Sequence, residues 1–156
     1  MSDFAIRGAV LSDSAAIVAL LREFADFEKL SDGFSLTEEQ VRRDMFGDAC
    51  QCELAFLGEE PIGIATWFWT YKSFRALKSL YVEDLYVMPA FRGRGLGREF
   101  LVHLAQKARA VQGLMEWRVL DWNAPAIAFY QGLGARLVPE WKDCRLEGQA
   151  LERLAS

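Results

Sequence analysis

The segment Tyr86-Val87-Met88-Pro89-Ala90-Phe91-Arg92-Gly93-Arg94-Gly95-Leu96-Gly97-Arg98 decides the fold, because it joins a strand pattern to a helix pattern. Leu80 to Val87 is typical of a mostly buried strand. After the turn, apolar residues recur at helical spacing, at Leu96, Phe100, Leu101, Leu104, Ala108 and Val111. The sequence therefore predicts a strand, a turn and an amphipathic helix in direct succession.

The turn carries three glycines and three arginines. A glycine-rich turn that opens a helix points several backbone N–H groups one way, at the positive end of the helix dipole. The absence of Cβ atoms lets a ligand approach the backbone, and guanidinium groups match phosphate oxygens. We therefore expect residues 92–98 to bind a phosphate-bearing cofactor.

Three kinds of phosphate site use such a turn, and an ordinary turn without a ligand also stays open because short glycine motifs recur by accident. A nucleoside triphosphate loop requires Gly-Lys-Ser/Thr at the helix start, which this chain lacks. A dinucleotide fingerprint follows the first strand and has an acidic residue about 20 positions later. Here the turn lies in the second half of the chain, and Trp117 stands near that position beside Glu116. The acyl-CoA pattern Arg/Gln-x-x-Gly-x-Gly/Ala fits Arg92, Gly95 and Gly97.

Composition favours one domain over residues 1–156, since a 17.7 kDa chain with 52% apolar residues can bury a core. The net charge of −4 disfavours nucleic acid as a partner. No apolar run reaches the ~18 residues of a membrane span, and the first residues do not resemble a signal peptide. Three cysteines and one histidine in unsuitable spacing predict no metal site and free thiols, which favours a cytoplasmic location.

The hydrophobic pattern predicts a mixed α/β domain with a central, mostly antiparallel sheet flanked by helices. Predicted strands cover 4–7, 52–57, 61–70, 80–87 and 115–120, with one or two further strands between Ala135 and Leu146. Predicted helices follow Ser12 or Ser14, Thr37, Gly95 and Asn123, and a short one covers Gln149 to Ala155. The Asn123 helix has Pro125 in its first turn, where a missing N–H costs little.

Glu83 and Asp84 are adjacent acids in an otherwise apolar strand. Because strand residues alternate between faces, at least one carboxylate should face a packed layer unless a bulge redirects it. Burial of an unpaired carboxylate is costly, which points to function. The structural alternative is an edge strand with one acid in water and the other paired to an arginine.

Four separated blocks resemble the GNAT family of N-acetyltransferases over nearly the whole chain. They are Phe24–Asp32, Leu80–Met88 with the loop that follows, Val119–Asn123 and Ala128–Tyr130. Within that family the chain is similar to the spermidine/spermine acetyltransferases and, more closely, to the thialysine acetyltransferases. The resemblance implies the GNAT fold and acetyl-CoA as co-substrate. It also implies direct attack by the primary amine of a small amine in a ternary complex, and a homodimer.

The resemblance also implies roles for individual residues. Glu83 would be the water-mediated base and Tyr130 the acid that protonates the leaving thiolate. Residues expected to bind the amine are Phe27, Glu28, Phe74, Glu83, Asp84 and Trp122. Residues expected to bind acetyl-CoA are Leu85, Tyr86, Val87, Arg92, Gly93, Arg94, Gly95, Leu96, Gly97, Arg98, Asn123, Ala124, Pro125, Ala126 and Tyr130. For Tyr130, the structural alternative is an aromatic residue packed on its helix.

The expected identity of the acceptor depends on one difference from the polyamine enzymes. Those enzymes carry an acid in the hairpin at the position where this chain has Lys72. A lysine there would repel a long polycation, so we expect a short amine with its own carboxylate, such as thialysine or a lysine-like amino acid. Lys72 or another basic residue could then meet that carboxylate. Two alternatives remain: acetylation of a protein lysine or N-terminus, and a non-catalytic acyl-CoA-binding module.

Overall fold

The computed structural model describes residues 3 to 156. The chain divides into two compact units, one ending at Arg118 and the other covering Val119–Ser156. Each unit is considered by itself below. The expectation of one domain over residues 1–156 stays a prediction.

The first unit is built on a five-stranded sheet in the order β1-β2-β3-β4-β5. Its strands are β1 (Phe4–Gly8), β2 (Gln51–Leu57), β3 (Glu60–Lys72), β4 (Leu77–Val87) and β5 (Leu114–Trp117). Neighbouring strands are antiparallel except for β4 and β5, which are parallel. This arrangement confirms the predicted mixed, mostly antiparallel sheet.

Helices cover both faces of this sheet. On one face lie α1 (Ser14–Phe27) and α2 (Glu38–Gln40), which continues into a π-helical turn over Val41–Met45. On the other face lies α3 (Leu96–Ala110), the helix predicted after the glycine-rich turn. The core on the α1 side contains Ile17, Leu20, Val41, Leu54, Ile64 and Tyr86. The core on the α3 side contains Ile62, Leu80, Val82, Leu96, Phe100 and Leu104, together with other residues.

The second unit contains α4 (Ala124–Gly132) and α5 (Gly148–Ala155), close to the predicted bounds. The strands predicted between Ala135 and Leu146 are absent from the described residues, which form an irregular and mostly exposed segment there. Apolar residues such as Val138 and Trp141 suggested strands, but a strand requires a hydrogen-bonded neighbour. The second unit, taken by itself, offers no strand to pair with.

The sheet is interrupted at the predicted acid pair. Thr66 pairs with Asp84 and Trp67 pairs with Val82, so Glu83 forms a β-bulge without a partner on β3 in the described register. On the other side, β5 pairs only with Ser79 to Val82 of β4. From Glu83 to Val87, therefore, no strand of the first unit borders β4 on the β5 side. β5 itself ends at Trp117 and not at the predicted Leu120.

Gly63 lets α3 approach the sheet at the point where the glycine-rich turn begins. A Cβ at Gly63 would lie 2.9 Å from Phe100 Cε2 and 3.0 Å from the carbonyl oxygen of Tyr86. We expect Gly63→Ala to lower the free energy of unfolding by about 1–3 kcal/mol, measured by urea denaturation. Gly33→Ala is the control, because a Cβ there meets nothing within 4 Å, and it should shift stability by no more than about 1 kcal/mol. An equal loss in both variants would contradict this packing argument.

Candidate active site

Asp84 is the more enclosed acid of the bulge pair. Its carboxylate accepts a hydrogen bond from the Thr66 hydroxyl, the residue that faces it across the β3–β4 ladder. Burial raises the pKa of Asp84, and the nearby charge of Glu83 raises it further, although the Thr66 hydrogen bond acts in the opposite direction. The partner found for Asp84 is Thr66, and β4 lies inside the sheet and not at its edge as the structural alternative requires, although Arg118 does lie near Glu83. Among residues 3 to 156, no ion pair joins a cationic side chain to this desolvated acid.

Glu83 lies beside it in contact with solvent. The side chain of Glu83 is 47% exposed, and the Nη2 atom of Arg118 is 3.8 Å from its Oε1 atom. Such a long, solvated contact is weak. Glu83 is thus in contact with water while it lies next to Asp84 in the strand.

Glu28 brings a third carboxylate to this region from the residue after α1. It is half-buried, and burial raises its pKa, with a further contribution from the charge of Asp84. Burial likewise raises the pKa of the Cys50 thiol, followed by the charges of Asp84 and Glu83. Glu28, directly after α1, and the acid pair of β4 therefore form one acidic region beside the Cys50 thiol, and a bound cation would relieve the repulsion among the carboxylates.

The glycine-rich turn has the backbone that the sequence predicts for an anion site. Gly93 and Gly95 have φ values of +76° and +84°, and a Cβ at either position would meet nothing within 4 Å. The space beside both glycines is therefore open to a ligand. Gly95 is the N-cap of α3, whose first N–H groups have no partner within the helix. The loop fits a pyrophosphate group on these grounds, with Arg94 and Arg98 exposed on it.

The side chain of Arg92 points toward the ends of β4 and α1. Its Nε donates a hydrogen bond of 2.8 Å to the carbonyl oxygen of Val87. Its Cζ lies 4.6 Å from the centre of the Phe27 ring and 5.4 Å from that of the Tyr86 ring. Arg92 therefore connects the turn with the end of β4 and the end of α1.

The β3–β4 hairpin places two predicted residues apart from these acids. Phe74 is fully exposed in the turn Ser73–Arg75, and Lys72 pairs with Glu116 at 2.6 Å. Lys72 is six ladder positions beyond Thr66, which amounts to roughly 20 Å along the strand. The proposed contact of Phe74 with substrate stays a prediction, and the charge of Lys72 is already neutralised by Glu116.

The remaining predicted residues belong to the second unit. Asn123 Oδ1 accepts a hydrogen bond of 3.4 Å from the Ala126 backbone N–H, which confirms the predicted cap of α4. Pro125 lies in the first turn of this helix, as predicted. The ring centres of Phe129 and Tyr130 are 5.4 Å apart, and Trp122 is half-exposed. The roles of Trp122, Tyr130 and residues 123–126 in catalysis or binding stay predictions.

Sequence reasoning missed Thr66, Cys50 and the side-chain direction of Arg92. Thr66 could be paired with Asp84 only if the register and the bulge were known. Cys50 directly precedes β2, and it lies near Glu83 and Asp84 because β2 is the neighbour of β3 in the sheet. This proximity depends on the order of the strands. Neither carries a local motif.

Comparison with known proteins agrees with this geometry. The model of the acetyltransferase (GNAT) family matches residues 15–135. The chain is 35% identical to the thialysine N-epsilon-acetyltransferase of Mus musculus, and the alignment covers 99% of both chains. It is 34% identical to the enzyme of the same name from Sus scrofa, again over 99% of both. An integron cassette protein from the mobile metagenome of V. cholerae shares the fold, with a TM-score of 0.82 and 22% identity over 99% of both chains.

The chain therefore belongs to the acetyltransferase (GNAT) family. Accordingly, the protein is an N-acetyltransferase, and members of this family use acetyl-CoA as co-substrate. Among residues 3 to 156, no helix has the length and apolar character needed to cross a bilayer. The same residues contain no group of three or more His, Cys, Asp or Glu side chains suited to a metal ion.

The half-buried charge of Asp84 should lower stability at neutral pH. Because burial raises its pKa in the folded protein, the folded state binds the proton more tightly than the unfolded chain. This contribution to stability is present at low pH and is lost as pH rises through the raised pKa. We expect Asp84→Asn to raise Tm at pH 7.5 by roughly 2–4 °C, with a smaller gain near pH 4. Differential scanning calorimetry at both pH values measures the difference.

The exposed turn residue Glu59 supplies the control for this experiment. Glu59→Gln should leave Tm unchanged at both pH values, since that carboxylate is in water in the folded and unfolded states. A lower Tm of Asp84→Asn at pH 7.5 would show that the carboxylate stabilises the fold, contrary to the pKa argument.

Proposed function

We propose that the protein transfers the acetyl group of acetyl-CoA to the primary amine of a small cationic acceptor, by direct attack in a ternary complex. The observation that carries the proposal is the acidic region formed by Glu28, Glu83 and Asp84 at the interrupted part of β4. A thialysine or lysine-like amino acid is the first choice of acceptor, and a di- or polyamine is the second. The similarity to thialysine acetyltransferases supports this choice.

Asp84 and Glu28 attract the ammonium form of the acceptor. Both carboxyl groups have raised pKa values because burial disfavours their charge. An ammonium group placed between them would stabilise the charged forms and be held by them in return. Phe27, at the end of α1 and partly exposed, would cover the apolar part of the acceptor.

Glu83 then serves as base. An alkyl ammonium has a pKa of about 10.4, so its deprotonation at neutral pH costs roughly 4–5 kcal/mol. Glu83 is solvated, so a water molecule can carry the proton from the amine to its carboxylate. Asp84, tied to Thr66, is better suited to binding than to proton transfer.

In the transfer step the amine nitrogen attacks the thioester carbonyl, a C–N bond forms and the C–S bond breaks. We assign the protonation of the departing thiolate to Tyr130, since a phenol with a pKa of about 10 remains protonated at neutral pH. Gly93 to Arg98 would hold the pyrophosphate. The backbone of Leu85 to Val87 and residues 123–126 would contact the rest of the cofactor.

Two further features belong to this proposal. The described cysteines, Cys50, Cys52 and Cys144, are free thiols, which supports a cytoplasmic enzyme. Homodimer formation follows from the family resemblance. Acetylation of a protein lysine is the competing function, and the acceptor assay separates the two.

The acceptor is tested by thiol release from acetyl-CoA with thialysine, lysine, ornithine, putrescine, spermidine, spermine and a lysine peptide. We expect kcat/KM for thialysine to exceed that for spermine by about tenfold. The reason is that Lys72 occupies the hairpin position at which the polyamine enzymes carry an acid, so that position offers no carboxylate to the distal amines of spermine. Comparable or better turnover of spermine would refute the amino-acid acceptor. Turnover of the peptide alone would replace it with the protein-lysine function.

The two proton-transfer residues are tested by Glu83→Gln and Tyr130→Phe. Each should lower kcat by about tenfold or more while the Kd of acetyl-CoA, measured by calorimetry, changes little. Tyr71→Phe is the matched control, since Tyr71 is 64% exposed on the β3–β4 hairpin. Wild-type kcat in Tyr130→Phe would remove that residue from the mechanism.

Glu28 is tested through the KM of the amine. Glu28→Gln should raise KM for thialysine roughly fivefold to tenfold, because one of the carboxylates facing the ammonium is lost. Asp26→Asn is the control on the same helix, since Asp26 is exposed. An unchanged KM in Glu28→Gln would place the acceptor away from α1.

A further inference from the structure

The end of α1 and the cofactor turn meet at a cluster of aromatic rings. Tyr86, on β4 and 4% exposed, donates its hydroxyl hydrogen to Glu23 of α1 at 3.3 Å. The Phe24 ring stacks on the Tyr86 ring with centres 5.3 Å apart, and the Phe27 ring is 6.5 Å away. The last turns of α1 therefore pack against the buried ring of Tyr86.

Arg92 joins the cofactor turn to this cluster. The guanidinium lies over Phe27 and Tyr86, at 4.6 Å and 5.4 Å, while its Nε binds the carbonyl oxygen of Val87 at 2.8 Å. Attraction of the cation to both ring faces adds to the hydrogen bond. Arg92 directly precedes Gly93, the first residue of the turn with positive φ. Any ligand that fixes the turn also fixes the backbone from which Arg92 extends.

The end of α1 that Arg92 contacts carries Phe27 and is followed by Glu28, the two residues proposed above to bind the acceptor. Phe27 is followed by Glu28, whose carboxyl group lies in the electrostatic field of Asp84. A contact that holds Phe27 in place therefore also holds Glu28 toward β4. The turn that would bind pyrophosphate and the helix end that would bind the amine are thus joined through one exposed side chain.

We propose that Arg92 is a positioning residue that couples the two substrates, so that acetyl-CoA bound on the turn strengthens amine binding at the end of α1. This inference rests on the proposed function and adds a path by which one substrate affects the other. The bound cofactor would limit the conformations of the turn and so fix the position of Arg92. The contacts of Arg92 with the Phe27 ring would then restrict the motion of Phe27 and of the adjacent Glu28. By thermodynamic linkage the amine strengthens acetyl-CoA binding by the same factor.

The coupling is measured by calorimetry as the Kd of thialysine without CoA divided by its Kd with saturating CoA. CoA is used because it has no acetyl group to transfer, so no reaction takes place during the measurement. We expect wild-type protein to bind thialysine about fivefold or more tightly with CoA. In Arg92→Ala the ratio should fall close to one, while the Kd of acetyl-CoA alone changes by less than about threefold. If Arg92 instead binds phosphate, acetyl-CoA affinity falls about tenfold and the ratio is unchanged, which overturns the proposal.

Three further variants separate positioning from general charge effects. Arg92→Lys keeps the positive charge but not the planar group that binds Val87 and covers both rings, so it should not restore the ratio. Phe27→Leu should lower the ratio by itself, and adding Arg92→Ala to it should cause little further loss. Arg22→Ala is the matched control, because Arg22 also belongs to α1 and lies 5.3 Å from the Phe34 ring, away from the turn. Full restoration by lysine, or an equal effect of Arg22→Ala, would contradict the assignment.

Amide hydrogen exchange tests the same link without an amine. Addition of acetyl-CoA should slow exchange at residues 24–30 in wild-type protein, and this slowing should be lost in Arg92→Ala although the cofactor still binds. If wild-type protein binds acetyl-CoA but none of the amines, the proposed acceptor is wrong, and this experiment alone decides the role of Arg92. Equal slowing in both proteins would overturn it.

Discussion

The bulge at Glu83 and the end of the β4–β5 pairing at Val82 are the constraint on which the site depends. A continuous ladder would bond the β5-facing edge of β4 to its neighbour and leave no place for a ligand beside Leu85 to Val87. The bulge also makes two consecutive acids differ, with Asp84 enclosed against Thr66 and Glu83 in water. One local irregularity thus leaves part of β4 without a neighbour on the β5 side and separates an enclosed acid from a solvated one.

The acidic region is a place where stability and function conflict. Burial raises the pKa values of Asp84 and Glu28, and each carboxylate is close to other negative charge. An ion pair with Asp84 or Glu28 would have removed this cost, but the arginine of this region, Arg118, lies near Glu83. In the proposed function the substrate supplies the cation, so the unfavourable energy of the free protein would become binding energy for an ammonium group.

The sequence allows the sheet, the covering helices and the glycine-rich turn to be predicted, because each has a local signal. Helical spacing after Gly95 and the positive-φ glycines before it are properties of adjacent residues. The same holds for the Asn123 cap. The bulge and the Thr66–Asp84 pair depend on the register of strands far apart in sequence, which no local pattern specifies. The strands predicted within 135–146 failed for a related reason, since apolar residues indicate burial but do not supply a neighbouring strand.

The direction of Arg92 shows why a motif position does not determine a side chain's role. The acyl-CoA pattern includes this arginine, and a phosphate contact is the simplest expectation from the pattern. Phe27 and Tyr86 present ring faces to the guanidinium, and the carbonyl oxygen of Val87 accepts its Nε–H. The glycines and helix N-terminus can bind phosphate through backbone groups alone. In the proposed coupling the turn holds the anion through its backbone while its first arginine orders the neighbouring helix, a division of roles that the contacts of Arg92 support and the motif alone does not indicate.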